Sequence, residues 1–162
     1  MSEAGKAYER ALSFLEKRDR TESEVKDRLL KAGFSEEAAG EALERLREAG
    51  LVNDEDYAAR YIDSLMAKGR GKLRIAAEMR KKGLSGELIR NTLEDRNPDA
   101  DERARALAAA GREWALIPEG ADRRKAAMKV SRKLVSLGYT YEAIGEVMSE
   151  LMKDDGNQAG DA

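Results

Sequence analysis

The 162-residue chain has no cysteine, no histidine and only two prolines. Without cysteine there can be no disulfide and no thiolate chemistry. Without histidine as well, imidazole catalysis and the usual zinc sites are excluded. Aromatic residues make up 5%, and no alternating run of Val, Ile, Thr and Tyr marks a strand. No apolar run approaches the ~20 residues of a membrane span, and the opening Met1-Ser2-Glu3-Ala4 lacks signal-peptide anatomy. The expectation is a cytoplasmic protein that does not enter a membrane. What is abundant is Ala, Glu, Arg, Lys and Leu, with 38% of residues charged. This is the composition of a helical protein with long solvated faces. No grouping of carboxylates, lysine and serine forms a catalytic constellation, so we expect no enzyme, no catalytic residue, no metal and no cofactor.

Three stretches repeat one pattern. Lys31-Ala32-Gly33-Phe34-Ser35, Lys82-Gly83-Leu84-Ser85 and Leu137-Gly138-Tyr139-Thr140 each place Gly after a helical run, then a hydrophobic residue, then a hydroxyl suited to capping. Eight residues before each Gly stand Val25, Ile75 and Val130, and four before stand Leu29, Met79 and Leu134. Six after stand Ala39, Ile89 and Ile144, and ten after stand Leu43, Leu93 and Met148. A helical unit repeated at this period is all-α, and stacked units expose a long surface rather than a pocket. The expected architecture is three tandem three-helix repeats, about nine helices, stacked into an elongated curved solenoid. The repeats are expected over residues 1–52, 53–97 and 98–153, with a polar, disordered tail over 154–162.

Local signals place the helices. In repeat one the first is expected over about Gly5 to Arg18. Thr21-Glu22-Ser23-Glu24 reads as a capping box opening the second, which ends at Gly33. Ser35 caps the third, and Gly50 closes it. Asn53 opens repeat two, Gly69 and Gly71 interrupt it, and helices follow over Lys72 to Lys82 and Ser85 to about Asp95. Asn97-Pro98 stops the last. Repeat three is read as helices from Asp99 to about Trp114, from Ala121 to Leu137 and from Tyr141 to Met152.

The net charge of −2 hides segregation: residues 1–59 carry 10 basic and 15 acidic side chains, whereas residues 60–96 carry 10 basic and 5 acidic. Two clusters stand out. Lys68, Arg70, Lys72, Arg74, Arg80, Lys81 and Lys82 are accompanied only by Glu78, and Arg123, Arg124, Lys125, Lys129, Arg132 and Lys133 by no acid.

The motifs in order resemble those of the RecX regulatory proteins. Arg20-Thr21-Glu22-Ser23-Glu24-Val25 through Gly33-Phe34 resembles the signature of their first repeat. Gly50-Leu51-Val52-Asn53-Asp54-Glu55-Asp56-Tyr57-Ala58 is similar to the entry of their second. Lys68-Gly69-Arg70-Gly71-Lys72-Leu73-Arg74-Ile75 with Glu78-Met79-Arg80-Lys81-Lys82-Gly83-Leu84 resembles their basic block. Arg123-Arg124-Lys125 and Gly138-Tyr139-Thr140-Tyr141-Glu142-Ala143-Ile144 are similar to the ending of their third repeat. The likeness spans about residues 7–152. Where the family often has Pro after the second Gly of the basic block, this chain has Lys72, and the usual Leu of the block is Met79. The resemblance implies a non-enzymatic modulator that binds the RecA recombinase filament on single-stranded DNA. It would inhibit ATP hydrolysis, strand exchange and co-protease activity, and so modulate recombinational repair and the SOS response. Weak direct DNA binding and a monomeric state are further expectations.

Two contact surfaces follow for a partner or nucleic acid. One is Lys68, Arg70, Lys72, Arg74, Arg80, Lys81 and Lys82 in repeat two. The other is Arg124, Lys125, Lys129, Arg132 and Lys133 in repeat three, with Met128 among them. The competing reading of each is a solvated helix face. Gly69-Arg70-Gly71 is no phosphate loop, since it lacks the Gly-Lys-Ser/Thr end and a preceding strand. Trp114, Tyr8, Tyr57 and Tyr61 read as packing residues. A stand-alone helical DNA-binding protein is the alternative, although the chain is mildly acidic and no Asn/Gln/Arg group opens a recognition helix.

Overall fold

The computed structural model describes residues 1–160, and the side chains of all of these but 155 and 157–160. Among them are nine helices and no strand: α1 (Glu3–Leu15), α2 (Glu22–Lys31), α3 (Glu36–Glu48), α4 (Asp54–Ala67), α5 (Lys72–Lys81), α6 (Gly86–Arg96), α7 (Asp99–Ala115), α8 (Arg123–Leu137) and α9 (Tyr141–Gly160). Apart from the end of α9, the expected starts and stops hold to within a few residues. The Thr21 hydroxyl accepts from Glu24 N–H (3.2 Å) while the Glu24 carboxylate accepts from Thr21 N–H (3.1 Å), the reciprocal pair of a capping box. Gly33, Gly83 and Gly138 all take positive φ, the backbone that ends a helix and that L residues avoid.

One expectation is corrected. The last helix was expected to end at Met152, yet α9 continues to Gly160, and residues 161 and 162 of the expected tail lie outside the described residues. Once a helix is nucleated, each added residue gains a hydrogen bond for little further ordering, so polar residues extend a helix they could not start.

By internal contacts the chain forms two compact units: Met1–Tyr61 with Glu78–Ile89, and Ile62–Ala77 with the chain from Arg90 onward. The middle triplet, α4 to α6, contributes to both. In the first unit α1, α2 and α3 pack on one another around Ala7, Ala11, Val25, Leu29, Ala39, Leu43 and Leu46. In the second, α7, α8 and α9 enclose Ala106, Ala110, Val130, Leu134, Tyr139, Ile144 and Val147. All twelve repeat positions named above are buried. The sequence period is therefore a packing period: each repeat supplies the same four inward side chains.

Each unit also holds a seam between consecutive repeats, and the two seams match. In the first unit the buried Thr21 hydroxyl donates to the Lys82 carbonyl at 2.6 Å. In the second, Gly71 N–H donates to the Leu137 carbonyl at 2.7 Å. Lys82 and Leu137 each directly precede the helix-ending glycine of their repeat, and Thr21 and Gly71 occupy equivalent places in the repeat before. The approach is close enough to dictate residue type. A methyl group on Gly83 would overlap Ser23, one on Gly138 would overlap Arg74, and one on Gly71 would overlap the Gly138–Tyr139 backbone.

Candidate interaction surface

The turn between α4 and α5 carries the heart of the basic block, and it is clamped within the second unit. Leu73 N–H donates to the Gly138 carbonyl (2.9 Å), and the Tyr139 hydroxyl donates to the Gly69 carbonyl (3.0 Å). Lys72 N–H donates to both oxygens of Glu102 at 3.0 Å. Glu102 is 2% exposed and also accepts from Asn97 Nδ2 at 2.9 Å. A buried carboxylate at the first turn of α5 satisfies orphan N–H groups and suits the positive end of the helix dipole. Sequence reasoning missed Glu102, since nothing in Asp99-Ala100-Asp101-Glu102 singles one acid out from its solvated neighbours.

The structure sorts the seven basic residues of this block. Lys72 Nζ pairs with Asp99 at 2.6 Å, and that hydrogen bond holds the Asp99 carboxyl below its usual range. Lys81 approaches Glu78 at 3.4 Å. Lys82 approaches Glu24 at 4.0 Å and lies 5.7 Å from the Tyr61 ring centroid. Arg74 donates to the Ser136 carbonyl at 3.2 Å. Lys72, Arg74, Lys81 and Lys82 thus have partners within the chain, whereas Lys68, Arg70 and Arg80 have no acid partner among the described residues. The block is also divided: Lys68, Arg70, Lys72 and Arg74 belong to the second unit, Arg80, Lys81 and Lys82 to the first.

The second surface is simpler. Asp122 caps α8, accepting from Arg124 N–H (2.9 Å) and Lys125 N–H (3.1 Å), and so fixes the register of the face. Ala126, Val130 and Leu134 point inward, with Ala127 and Leu137 half-buried against the same core. Arg124, Lys125, Lys129, Arg132 and Lys133 are all exposed, and none has an acid partner among the described residues. Met128 stands 50% exposed in their midst rather than packed inward. Arg123 instead lies over the Trp114 ring, 5.6 Å from its centroid.

The aromatic residues take the packing roles expected of them. Arg45 covers the Tyr8 ring at 4.0 Å, Tyr57 and Tyr61 lie 5.7 Å apart, and Trp114 packs against the core of the second unit. Burial pushes the Tyr57, Tyr61 and Tyr139 phenols above their usual range. In the first unit, burial pushes the Asp54 carboxyl up although it accepts from Glu22 N–H at 2.9 Å. Glu22 pairs in turn with Arg47 at 2.6 Å. No group of acids able to hold a metal ion occurs among the described residues, and no described helix is long and apolar enough to cross a membrane.

Comparison with known proteins bears on the same elements. The model of the first three-helix domain of RecX matches residues 7–46, and that of the second matches residues 53–93. The regulatory protein RecX of Clostridium perfringens (strain SM101 / Type A) is 33% identical over 147 residues, covering 90% of this chain and 68% of that protein. The chain belongs to the RecX family. The regulatory protein RecX of Mycolicibacterium smegmatis is 41% identical over 96 residues, 59% of this chain and half of its own length. Among solved structures, RecX from Lactobacillus salivarius superposes with a TM-score of 0.81 at 25% identity, covering 92% of this chain and 96% of that one. Another crystal structure of regulatory protein RecX gives 0.74 at 25% identity, covering 91% of this chain and 72% of that one. Tandem three-helix domains are therefore the fold of this RecX-family chain, as its internal repeat implies.

Proposed function

We propose that the chain is a non-enzymatic regulator that binds the RecA filament on single-stranded DNA and restrains its ATP hydrolysis, strand exchange and co-protease activity. It would thereby modulate recombinational repair and the SOS response in the cytoplasm. Family membership supplies the class of partner. The observation that carries the reading is the unpaired exposed basic face of α8, whose cations Arg124, Lys125, Lys129, Arg132 and Lys133 have no acid partner among the described residues. Such a face is attracted to an acidic protein surface or to phosphates. Lys68, Arg70 and Arg80 offer a second set. Contacts that are weak singly add when they belong to one chain, because the second forms at high effective concentration.

The direct test is RecA ATPase on single-stranded DNA with and without the protein. Inhibition that rises with protein concentration and is relieved by Lys125→Glu/Lys129→Glu/Arg132→Glu, at unchanged helix content, supports the reading. Unaltered ATPase argues against it. The same unpaired face also suits DNA binding alone. That reading requires tight, steeply salt-dependent binding of DNA without RecA.

A further inference from the structure

The internal repeat predicts surface without a pocket, yet the second unit contains a cavity of about 480 Å³. It lies where the C-terminal end of α4 faces α7. Met66, Ala67, Lys68 and Gly69 form one wall, Arg105, Ala108 and Arg112 the other, and Tyr139 closes it. The volume falls within the range of ligand sites. Its charge is one-sided, with three cations and no carboxylate among the lining residues.

The inner end is held in place. Arg105 Nη2 donates to the Met66 carbonyl at 3.1 Å and also to the Arg70 carbonyl, and the guanidinium lies 5.8 Å from the Tyr139 ring centroid. The Tyr139 hydroxyl is committed to Gly69. Arg105 Nη1 is buried with no hydrogen-bond partner. At the mouth, Lys68 and Arg112 are exposed and have no acid partner among the described residues. A depression lined by charge of one sign raises the local concentration of counter-ions. A single carboxylate would leave most of this charge uncompensated, whereas phosphate carries more negative charge and offers more acceptors to guanidinium groups. Ala67, Ala108 and the Met66 side chain leave apolar room beside the cations, which suits the organic part of a nucleotide.

We infer that this cavity is a phosphate-binding site that takes the phosphate groups of a nucleotide, either free or within a single strand. Lys68 and Arg112 hold the phosphates at the mouth, and Arg105 supplies positive charge from within. The site is separate from the basic face of α8, and the strand arm of the inference rests on the proposed association with a filament on single-stranded DNA.

The test measures the full chain, without RecA, against two probes: sodium pyrophosphate by calorimetry and a fluorescent (dT)15 by anisotropy over a range of salt. Variants are Arg112→Glu and Lys68→Glu, with Lys26→Glu, an exposed cation of α2 outside both basic surfaces, as the control for general loss of positive charge. Circular dichroism checks that each is folded. Saturable pyrophosphate binding that falls tenfold or more in Arg112→Glu and Lys68→Glu, but not in Lys26→Glu, supports a site for free phosphates. Binding of (dT)15 alone, weakened in the two pocket variants with a salt slope reduced by about one per substitution, supports a strand phosphate. The inference is overturned if neither probe binds, or if Lys26→Glu weakens binding as much as the pocket variants. RecA inhibition measured on the same variants separates the two proposals: loss of phosphate binding with inhibition intact leaves the regulator reading standing.

Discussion

Thr21 shows how much one side chain can do in this fold. Its hydroxyl accepts from Glu24 N–H and donates to the Lys82 carbonyl, and the residue is fully buried. Thr21→Val keeps the shape and removes both bonds. It should lower stability to urea by roughly 1–3 kcal/mol, the cost of leaving buried polar groups unpaired, and Thr21→Ser should recover most of it. Lys72 makes a similar point through its backbone. Proline is ordinarily welcome at the first position of a helix, and the family often has it here, but in this chain Lys72 N–H is the donor that satisfies Glu102. Lys72→Pro should therefore destabilise the protein, by roughly 1–3 kcal/mol in the same urea experiment. The capping role of Thr21 was legible because both halves of its box lie within four residues. Its bond to Lys82 and the role of Glu102 were not, because each partner is brought in by folding from tens of residues away.

Titration belongs to this scale too. Burial raises the Tyr139 phenol in the folded state, so the folded chain holds that proton more tightly than the unfolded one. Its contribution to stability is complete below the ordinary phenol value of about 10 and is lost as the pH rises from there through the folded value. Phenolate absorbance should show Tyr139 ionising above the ordinary phenol range. Tyr139→Phe should reduce the late component, which Tyr57 and Tyr61 share, and an unchanged late component would contradict the burial argument.

At the scale of elements, the glycines divide into those the seams require and those they do not. A side chain at Gly71 meets the Gly138–Tyr139 backbone, which has no flexible end to move aside. Gly71→Ala should cost roughly 1–3 kcal/mol, the usual penalty of forcing atoms into filled space. Gly111 lies within α7 with open space around its Cβ position. Gly111→Ala should stabilise by about 0.5–1 kcal/mol by removing backbone freedom from the unfolded chain. Thermal or urea unfolding of the two variants separates a structural glycine from a tolerated one. The helices themselves were legible because caps, breakers and the 3.6-residue period agree throughout. The end of α9 was not, because composition reports whether a segment starts a helix and not whether it continues one.

The basic residues acquire their meaning only in the whole molecule. Their positions are plain in the sequence, but ion pairing depends on which acids folding brings near. Lys72 meets Asp99 and Lys82 meets Glu24, whereas the face of α8 meets no acid among the described residues. The cavity beside Arg105 and Arg112 was hidden for the same reason, since its walls come from α4 and α7 with no sequence motif joining them. Free charge on the surface is what a regulator of a charged filament needs, and charge already neutralised by the chain contributes less. Reversing Lys125, Lys129 and Arg132 should therefore weaken partner binding more than reversing Lys72, Lys81 and Lys82. Competition between the two triple variants for the same partner would show the order.

Co-sedimentation with RecA assembled on single-stranded DNA, against single-stranded DNA alone, tests the account most directly. The protein should pellet with the RecA filament and remain largely in the supernatant with naked DNA at moderate salt, and the α8 triple variant should lose the filament-bound fraction. Equal pelleting with and without RecA, or none with the filament, would contradict it.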